Sequence, residues 1–350
     1  MDNPLLTIND LTVRFVGNDG ETQALRGVSL TLYPREVLGI VGESGSGKSV
    51  TALATMGLLP NNAKTTGTIQ LGDNQILGMN NRQMSKVRGK VLGMIFQDPL
   101  TSLNPVYTIG WQLEEAIAAH QELSKQDRRA EAIRLLETVG IPRPESRIDD
   151  YPHEFSGGMR QRVVIAIAIA NNPQVILADE PTTALDVTVQ AQVLDTLRTA
   201  IESSHASLIL VTHDLGVVAG LAGRVAVMYA GRIVETGPVD EVFYRPAMPY
   251  THGLLGSVPR VDDEGGDRLR QIPGSPPSVI GVRPGCPFAP RCPLRRDICD
   301  EQEPDLVPVA GSAGDQAHLA ACHFVSDVVA MPIASMFPDS SADIEELPES

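Results

Sequence analysis

The chain has 350 residues, 42% of them hydrophobic, enough for one large globular domain and a smaller appendage. Its 43 acidic against 28 basic side chains leave a formal charge of -15, which argues against nucleic acid as the main ligand, because neutralising phosphates needs clustered Lys and Arg. No apolar run approaches the ~20 residues that span a bilayer; the best candidate, Val163 to Ala170, stops at Asn171 and Asn172. No charged-then-apolar leader follows Met1, so the chain is expected to stay in the cytoplasm, with other chains supplying the membrane part of any membrane process.

In chain order, residues 37–41 (VLGIV) form a short apolar run that ends in glycines, and 50–59 read as helix, predicting strand, Gly-rich turn, helix. Apolar runs follow at 94–96, 175–178, 208–211 and 225–229. Being apolar on both faces and separated by helical segments, they predict buried parallel strands of an α/β sheet. Between the first two lies a helical subdomain, roughly Pro99 to Arg160. Its clearest helix begins at Ser124, with Asp127 three residues on in a capping-box pattern. Ala132, Leu135, Leu136 and Val139 give that helix an apolar stripe, and Gly140 ends it. After about Arg245 the texture turns Pro- and Gly-rich (IPGSPPSVIGVRPG), which places a domain boundary there. From about 331 the chain is acidic and rich in Ser and Pro, as in a disordered tail.

Gly42 to Ser49 reads GESGSGKS, a complete Walker A loop between a strand and a helix. Gly42, Glu43, Ser44, Gly45, Ser46 and Gly47 would turn backbone N–H groups inward as an anion nest, to which the following helix adds its dipole. Lys48 would reach the β and γ phosphates, and the Ser49 hydroxyl would help hold Mg²⁺. Residues 174–180 (QVILADE) deliver two carboxylates at a strand end. Asp179 fits Mg²⁺ binding through water, and Glu180 fits orienting or deprotonating the attacking water. Ser156 to Arg162 reads SGGMRQR before an apolar helix, an exposed helix N-terminus with a hydroxyl that can serve an anion.

With Phe155, that last run closely resembles the signature motif of ABC proteins, although the family usually has Leu and Gln where this chain has Phe155 and Met159. The resemblance implies that Ser156, Gly157 and Gly158 touch the γ-phosphate bound by an opposite subunit, so that two ATPs are sandwiched in a head-to-tail dimer. It also implies adenine stacking on Phe15, a Q-loop Gln97 that senses Mg²⁺ and the membrane partner, a D-loop at Ala184, Leu185 and Asp186, and a switch histidine at His213. QDPLTSLNP (97–105), RPAMPYTHGLL (245–255) and CPFAPRCP (286–293) are similar to the oligopeptide and dipeptide import ATPases; nickel and opine importers share most of these motifs. The implied fold class is α/β: a P-loop ABC ATPase core with an antiparallel β subdomain and an α-helical subdomain, plus a small irregular Cys-containing C-terminal appendage. The implied domains are a nucleotide-binding domain over 1–245, the appendage over 246–330 and a tail over 331–350.

The implied function is ATP-driven import of di- and oligopeptides, with a nickel or opine importer as the alternative and a soluble ABC ATPase acting on nucleic acid as a remote one. With one Walker A loop, the chain is expected to pair with another ATPase subunit, a related one rather than a copy. It would serve two integral membrane permease subunits and, through them, an extracytoplasmic substrate-binding protein, at the cytoplasmic face of the membrane and without nucleic acid.

Cys286, Cys292, Cys299 and Cys322 are the chain's four cysteines, separated by five, six and twenty-two residues, unlike the paired spacing of zinc ribbons. In a reducing compartment such clustering points to metal ligation before disulfides. The readings are an iron–sulfur cluster, supported by a similar Cys set thought to hold a 4Fe-4S cluster in the peptide importers, a zinc ion with His323 as a further ligand, or no metal. Because the ATP motifs from Phe15 to His213 are complete without the appendage, its role is expected to be structural or regulatory, with Cys292→Ser leaving nucleotide binding at Lys48 largely intact.

Overall fold

The computed structural model describes residues 3–17, 20–183, 185–257, 272–277, 284–314, 316–333 and 336–337. The chain opens with a strand whose alternation changes phase: Leu6 and Ile8, then Leu11 and Val13, are buried along β1 (Leu6–Gly17). Between the two pairs Asp10 is left-handed (φ 48°), and the register against β2 (Gly20–Leu32) shifts there. With β4 (Ala63–Leu71) and β5 (Asn74–Gln75) these strands form a four-stranded antiparallel sheet in the order β2-β1-β4-β5.

The second sheet runs β11-β12-β10-β9-β3-β8-β7-β6. Its centre is parallel: β3 (Val37–Val41), β6 (Leu92–Ile95), β7 (Val175–Asp179), β8 (Ser207–Thr212) and β9 (Arg224–Tyr229). Along β7, Val175 and Leu177 pack toward the antiparallel sheet while Ile176 and Ala178 pack toward helices, which is why both faces had to be apolar. The strand predicted at 94–96 begins two residues and ends one residue earlier than expected, because Leu92 is wholly buried and Phe96 has already turned outward. The helix predicted over 50–59 is Lys48–Thr55.

The helical subdomain holds helices Ile109–Ala118 and Lys125–Thr138, and helix Gly157–Ile169 packs against both. Ser124 caps its helix as expected, although the bonding differs from a capping box: Asp127 N donates to Ser124 Oγ, which itself donates to the Asp127 carboxylate at 2.6 Å. Ala132, Leu135, Leu136 and Val139 are buried, and Gly140 ends the helix at φ 69°.

Beyond β9, β10 (Arg232–Pro238) turns antiparallel, and the late strands β11 (Val307–Pro308) and β12 (Leu319–Ala320) continue the sheet from its edge. The appendage is thereby joined to the core sheet, and the rings of Tyr229, Tyr250 and Phe288 pack in tilted and edge-on contacts in one cluster between them. Met336 and Phe337 are buried in the same cluster, so this part of the stretch expected to be a disordered tail is packed; 338–350 lie outside the described residues. No helix among the described residues is long and apolar enough to cross a membrane.

Candidate nucleotide site

The loop Gly42–Gly47 leaves the carboxyl end of β3 and enters helix Lys48–Thr55 through a left-handed Gly47 (φ 110°). A Cβ on Gly42 would sit 2.1 Å from the Met228 carbonyl, so the loop can lie this close to β9 only without a side chain. Lys48 is buried and donates from Nζ to the carbonyls of Gly42 (2.7 Å) and Glu43 (3.0 Å). Burial pushes its pKa down, against the nearby negative charges of Glu180, Asp179 and Glu43. The Ser46 hydroxyl is buried with no hydrogen-bond partner among the described residues, an unpaired donor within the loop that a phosphate oxygen would satisfy.

Asp179 ends β7, and its carboxylate accepts from Ser49 Oγ at 2.9 Å. Burial pushes the Asp179 pKa up, offset by the Ser49 hydrogen bond and the Lys48 charge. Two residues 130 positions apart thus present a hydroxyl and a carboxylate side by side, hard oxygen donors of the kind Mg²⁺ prefers.

Glu180 is left-handed (φ 47°), a strained conformation for a residue with a side chain. Its backbone N–H donates to the Val211 carbonyl, pinning it across to β8. Its carboxylate accepts from Gln97 Nε2 (3.1 Å) and Thr183 Oγ1 (2.8 Å), and His213 Nδ1 lies 3.4 Å away. Gln97 follows β6 and His213 follows β8, so residues from three strand ends meet on one carboxylate. This is the crevice at the carboxyl ends of parallel strands where open α/β sheets bind ligands. Thr183 was missed in the sequence, where its signal is a hydroxyl three residues after the acid in a turn.

Phe15 is half-buried on β1, paired with Thr22 and Ala63 of the antiparallel sheet, and packs against the core cluster of that sheet. Ser156 is exposed and caps helix Gly157–Ile169, accepting from Met159 N. Gly157 lies beside Leu185, and a Cβ on Gly158 would come within 2.4 Å of Val189 Cγ1. Close packing against helix Val187–Ser204 is therefore a reason for glycine at 158 that sequence reasoning did not supply. Gly158→Ala is expected to lower stability by about 1–3 kcal/mol in urea unfolding, as overpacking does; an unchanged midpoint would refute the packing account. Asp186 caps the same helix by accepting from Val189 N, and Ala184 lies outside the described residues.

The four cysteines are free thiols that line one shared cavity with Phe288 and His323. Burial pushes the thiol of Cys286 up, that of Cys292 to about 11 and that of Cys322 to about 12, so these are protonated at neutral pH. Among the described residues no group of three or more His, Cys, Asp or Glu is arranged to hold a metal ion. The four cysteines thus share a cavity, but the expected metal centre is not found as an arranged ion site among the described residues. His323 Nε2 donates to the Gln302 carbonyl (2.9 Å), which occupies that nitrogen of the spare zinc ligand.

The appendage touches the phosphate loop directly. Arg291 binds the Glu43 carboxylate through both Nη atoms, and the Glu43 N–H donates to Tyr250 Oη at 2.7 Å.

Two protein families match the chain: one described as ABC transporter, over residues 25–183, and one described as oligopeptide/dipeptide transporter, C-terminal region, over residues 234–299. The oligopeptide transport ATP-binding protein OppD of Mycobacterium tuberculosis is 52% identical over 91% of this chain, which spans about half (52%) of that relative's length. OppD of Bacillus subtilis is 51% identical, covering 87% of this chain and 86% of its own, and the dipeptide transport ATP-binding protein DppD of that organism is 51% identical over 86% and 90%. Among solved structures, the dimeric ATP-binding cassette MJ0796 in a post-hydrolysis state with ADP and Pi superimposes with a TM-score of 0.59 at 27% identity, covering 67% of this chain and 98% of that one.

Proposed function

The chain belongs to the ABC transporter ATP-binding proteins, in the oligopeptide/dipeptide transport group, and on that premise we propose that it binds and hydrolyses ATP to power uptake of di- and oligopeptides through a membrane permease. The observation that carries the reading is the pair of meeting points beside the loop: Ser49 with Asp179, and Gln97 with His213 around Glu180. In this reading the loop N–H groups, Ser46 and Lys48 bind phosphates, and Phe15 stacks on adenine. Ser49, Asp179 and Gln97 hold Mg²⁺, which neutralises charge on the β and γ phosphates. Glu180 orients or deprotonates the attacking water, and His213 contacts the γ-phosphate.

Ser156, Gly157 and Gly158 serve the phosphate of a paired ATPase subunit, as the dimeric state of MJ0796 supports. The chain works at the cytoplasmic face of the membrane, with two permease subunits and a substrate-binding protein. The test is uptake by vesicles containing the complex captured with this chain from membranes. ATP-dependent entry of labelled tripeptide is the expected result; entry of nickel or an opine without peptide would replace the substrate.

For the four cysteines we infer a 4Fe-4S cluster before zinc, on the likeness of the set to that of the peptide importers and on its unpaired spacing; all four line one cavity. Cys286, Cys292, Cys299 and Cys322 would ligate it, losing their protons as it binds. Phe324 N–H already donates to Cys322 Sγ, the kind of contact that tunes cluster sulfurs. Protein purified without oxygen is expected to be brown, to absorb broadly near ~400 nm and to hold about four irons per chain, with Cys292→Ser bleaching the colour. Stoichiometric zinc without iron, or four freely titrating thiols, would reject it.

A further inference from the structure

Glu43, the second residue of the phosphate loop, is held at three points. Its carboxylate takes two parallel hydrogen bonds from Arg291, Nη1 to Oε2 at 2.6 Å and Nη2 to Oε1 at 2.8 Å. Its N–H donates to Tyr250 Oη, and its carbonyl accepts from Lys48 Nζ. The side of Glu43 facing the appendage and the side gripping the phosphate lysine therefore belong to one residue.

Arg291 is itself fixed. Its side chain is 5% exposed, its Nε donates to the Pro273 carbonyl at 2.9 Å, and its guanidinium lies 5.9 Å from the rings of both Tyr229 and Phe288. A planar fork buried against aromatic rings and bonded on three sides has little freedom, so it transmits position and not merely charge. The residue also adjoins Cys292 in the chain, which ties its placement to the cysteine-lined cavity.

A second tether runs to the same loop. Glu303, also in the appendage, binds Arg26 at 2.7 Å and Arg232 at 2.9 Å. Arg26 Nε donates to the Ala230 carbonyl, and the next residue, Gly231, donates its N–H to the carbonyl of Ser46. The appendage thus reaches the loop at Glu43 directly and at Ser46 through a turn.

We propose that Arg291 is a positioning residue for ATP binding, setting Glu43 and through it Lys48, so that the cysteine-bearing appendage governs nucleotide affinity; this rests on the ATP-site reading. The test is titration of the purified full-length chain with a fluorescent ATP analogue and Mg²⁺, using Arg291→Gln, Arg291→Lys, Glu43→Gln and the double variant Glu43→Gln/Arg291→Gln.

Each glutamine variant is expected to weaken binding about ten-fold, with the double variant no weaker than either, because contacting residues on one path are not additive. Arg291→Lys, which keeps the charge and loses the fork, should fall between. Losses that add in the double variant would show that Arg291 merely holds the appendage together and would overturn the proposal, as would unchanged affinity in the singles. Should Arg291→Gln fail to fold, Glu43→Gln decides alone, since it leaves Arg291 in place: wild-type affinity there rejects the coupling. A wild-type chain that does not bind the analogue would overturn the ATP-site reading and this inference with it.

Discussion

Glu180→Gln is expected to cut ATP turnover by roughly 10²–10⁴-fold while leaving nucleotide binding intact or tighter. The substitution is isosteric, so the contacts to Gln97 and Thr183 keep an acceptor in place and the left-handed backbone is under no new strain. What it removes is the negative charge and the basicity. The charge stands close enough to influence Lys48, and its loss reduces repulsion of a γ-phosphate. Binding and chemistry therefore separate, as expected of a group that acts on the attacking water and not on the ground-state nucleotide. The measurement is analogue affinity alongside single-turnover hydrolysis by the assembled transporter. Where a related subunit supplies the second site, the matching acid there is changed as well, so that residual turnover has no other source. Near-normal hydrolysis would remove Glu180 from the reaction.

The sequence carried the phosphate loop and the paired acids because their chemistry is local: eight consecutive residues make the loop, and two make the acids. The parallel strands were legible for a similar reason, since each is apolar on both faces and bounded by turns. The N-terminal antiparallel sheet is different. Its alternation is interrupted at Asp10, where the buried set jumps from Leu6 and Ile8 to Leu11 and Val13, so no period of two runs the length of β1. That sheet came only with the family resemblance.

The meeting of Gln97, Thr183 and His213 on Glu180 depends on strand order, and the order β8-β7-β6 cannot be read from spacing. Least legible was the grip of the appendage on the loop. Arg291 and Tyr250 bind a residue 248 and 207 positions earlier, and an arginine beside a cysteine gives no local sign of a carboxylate that far away.

Ser156→Arg is expected to abolish hydrolysis at the paired subunit's site while this chain's own loop, Gly42–Ser49, binds nucleotide normally. Ser156 caps helix Gly157–Ile169, and losing the cap costs about 1 kcal/mol, too little to unfold the chain. An arginine there instead fills the exposed helix N-terminus that is to face a phosphate. Sharing of sites across the pair has a consequence that simple loss of activity does not test. With Ser156→Arg in this chain and the loop lysine changed to Ala in the paired subunit, the composite of this chain's loop and the other subunit's signature stays whole, and turnover should persist. With Ser156→Arg and Lys48→Ala both in this chain, one site loses its lysine and the other its signature, and turnover should vanish. Sites completed within one chain give the opposite pattern, because the two changes in one chain would then spare the other subunit entirely. ATPase assays on the two combinations separate these architectures, and activity that survives only when both changes sit in one chain would refute the shared site.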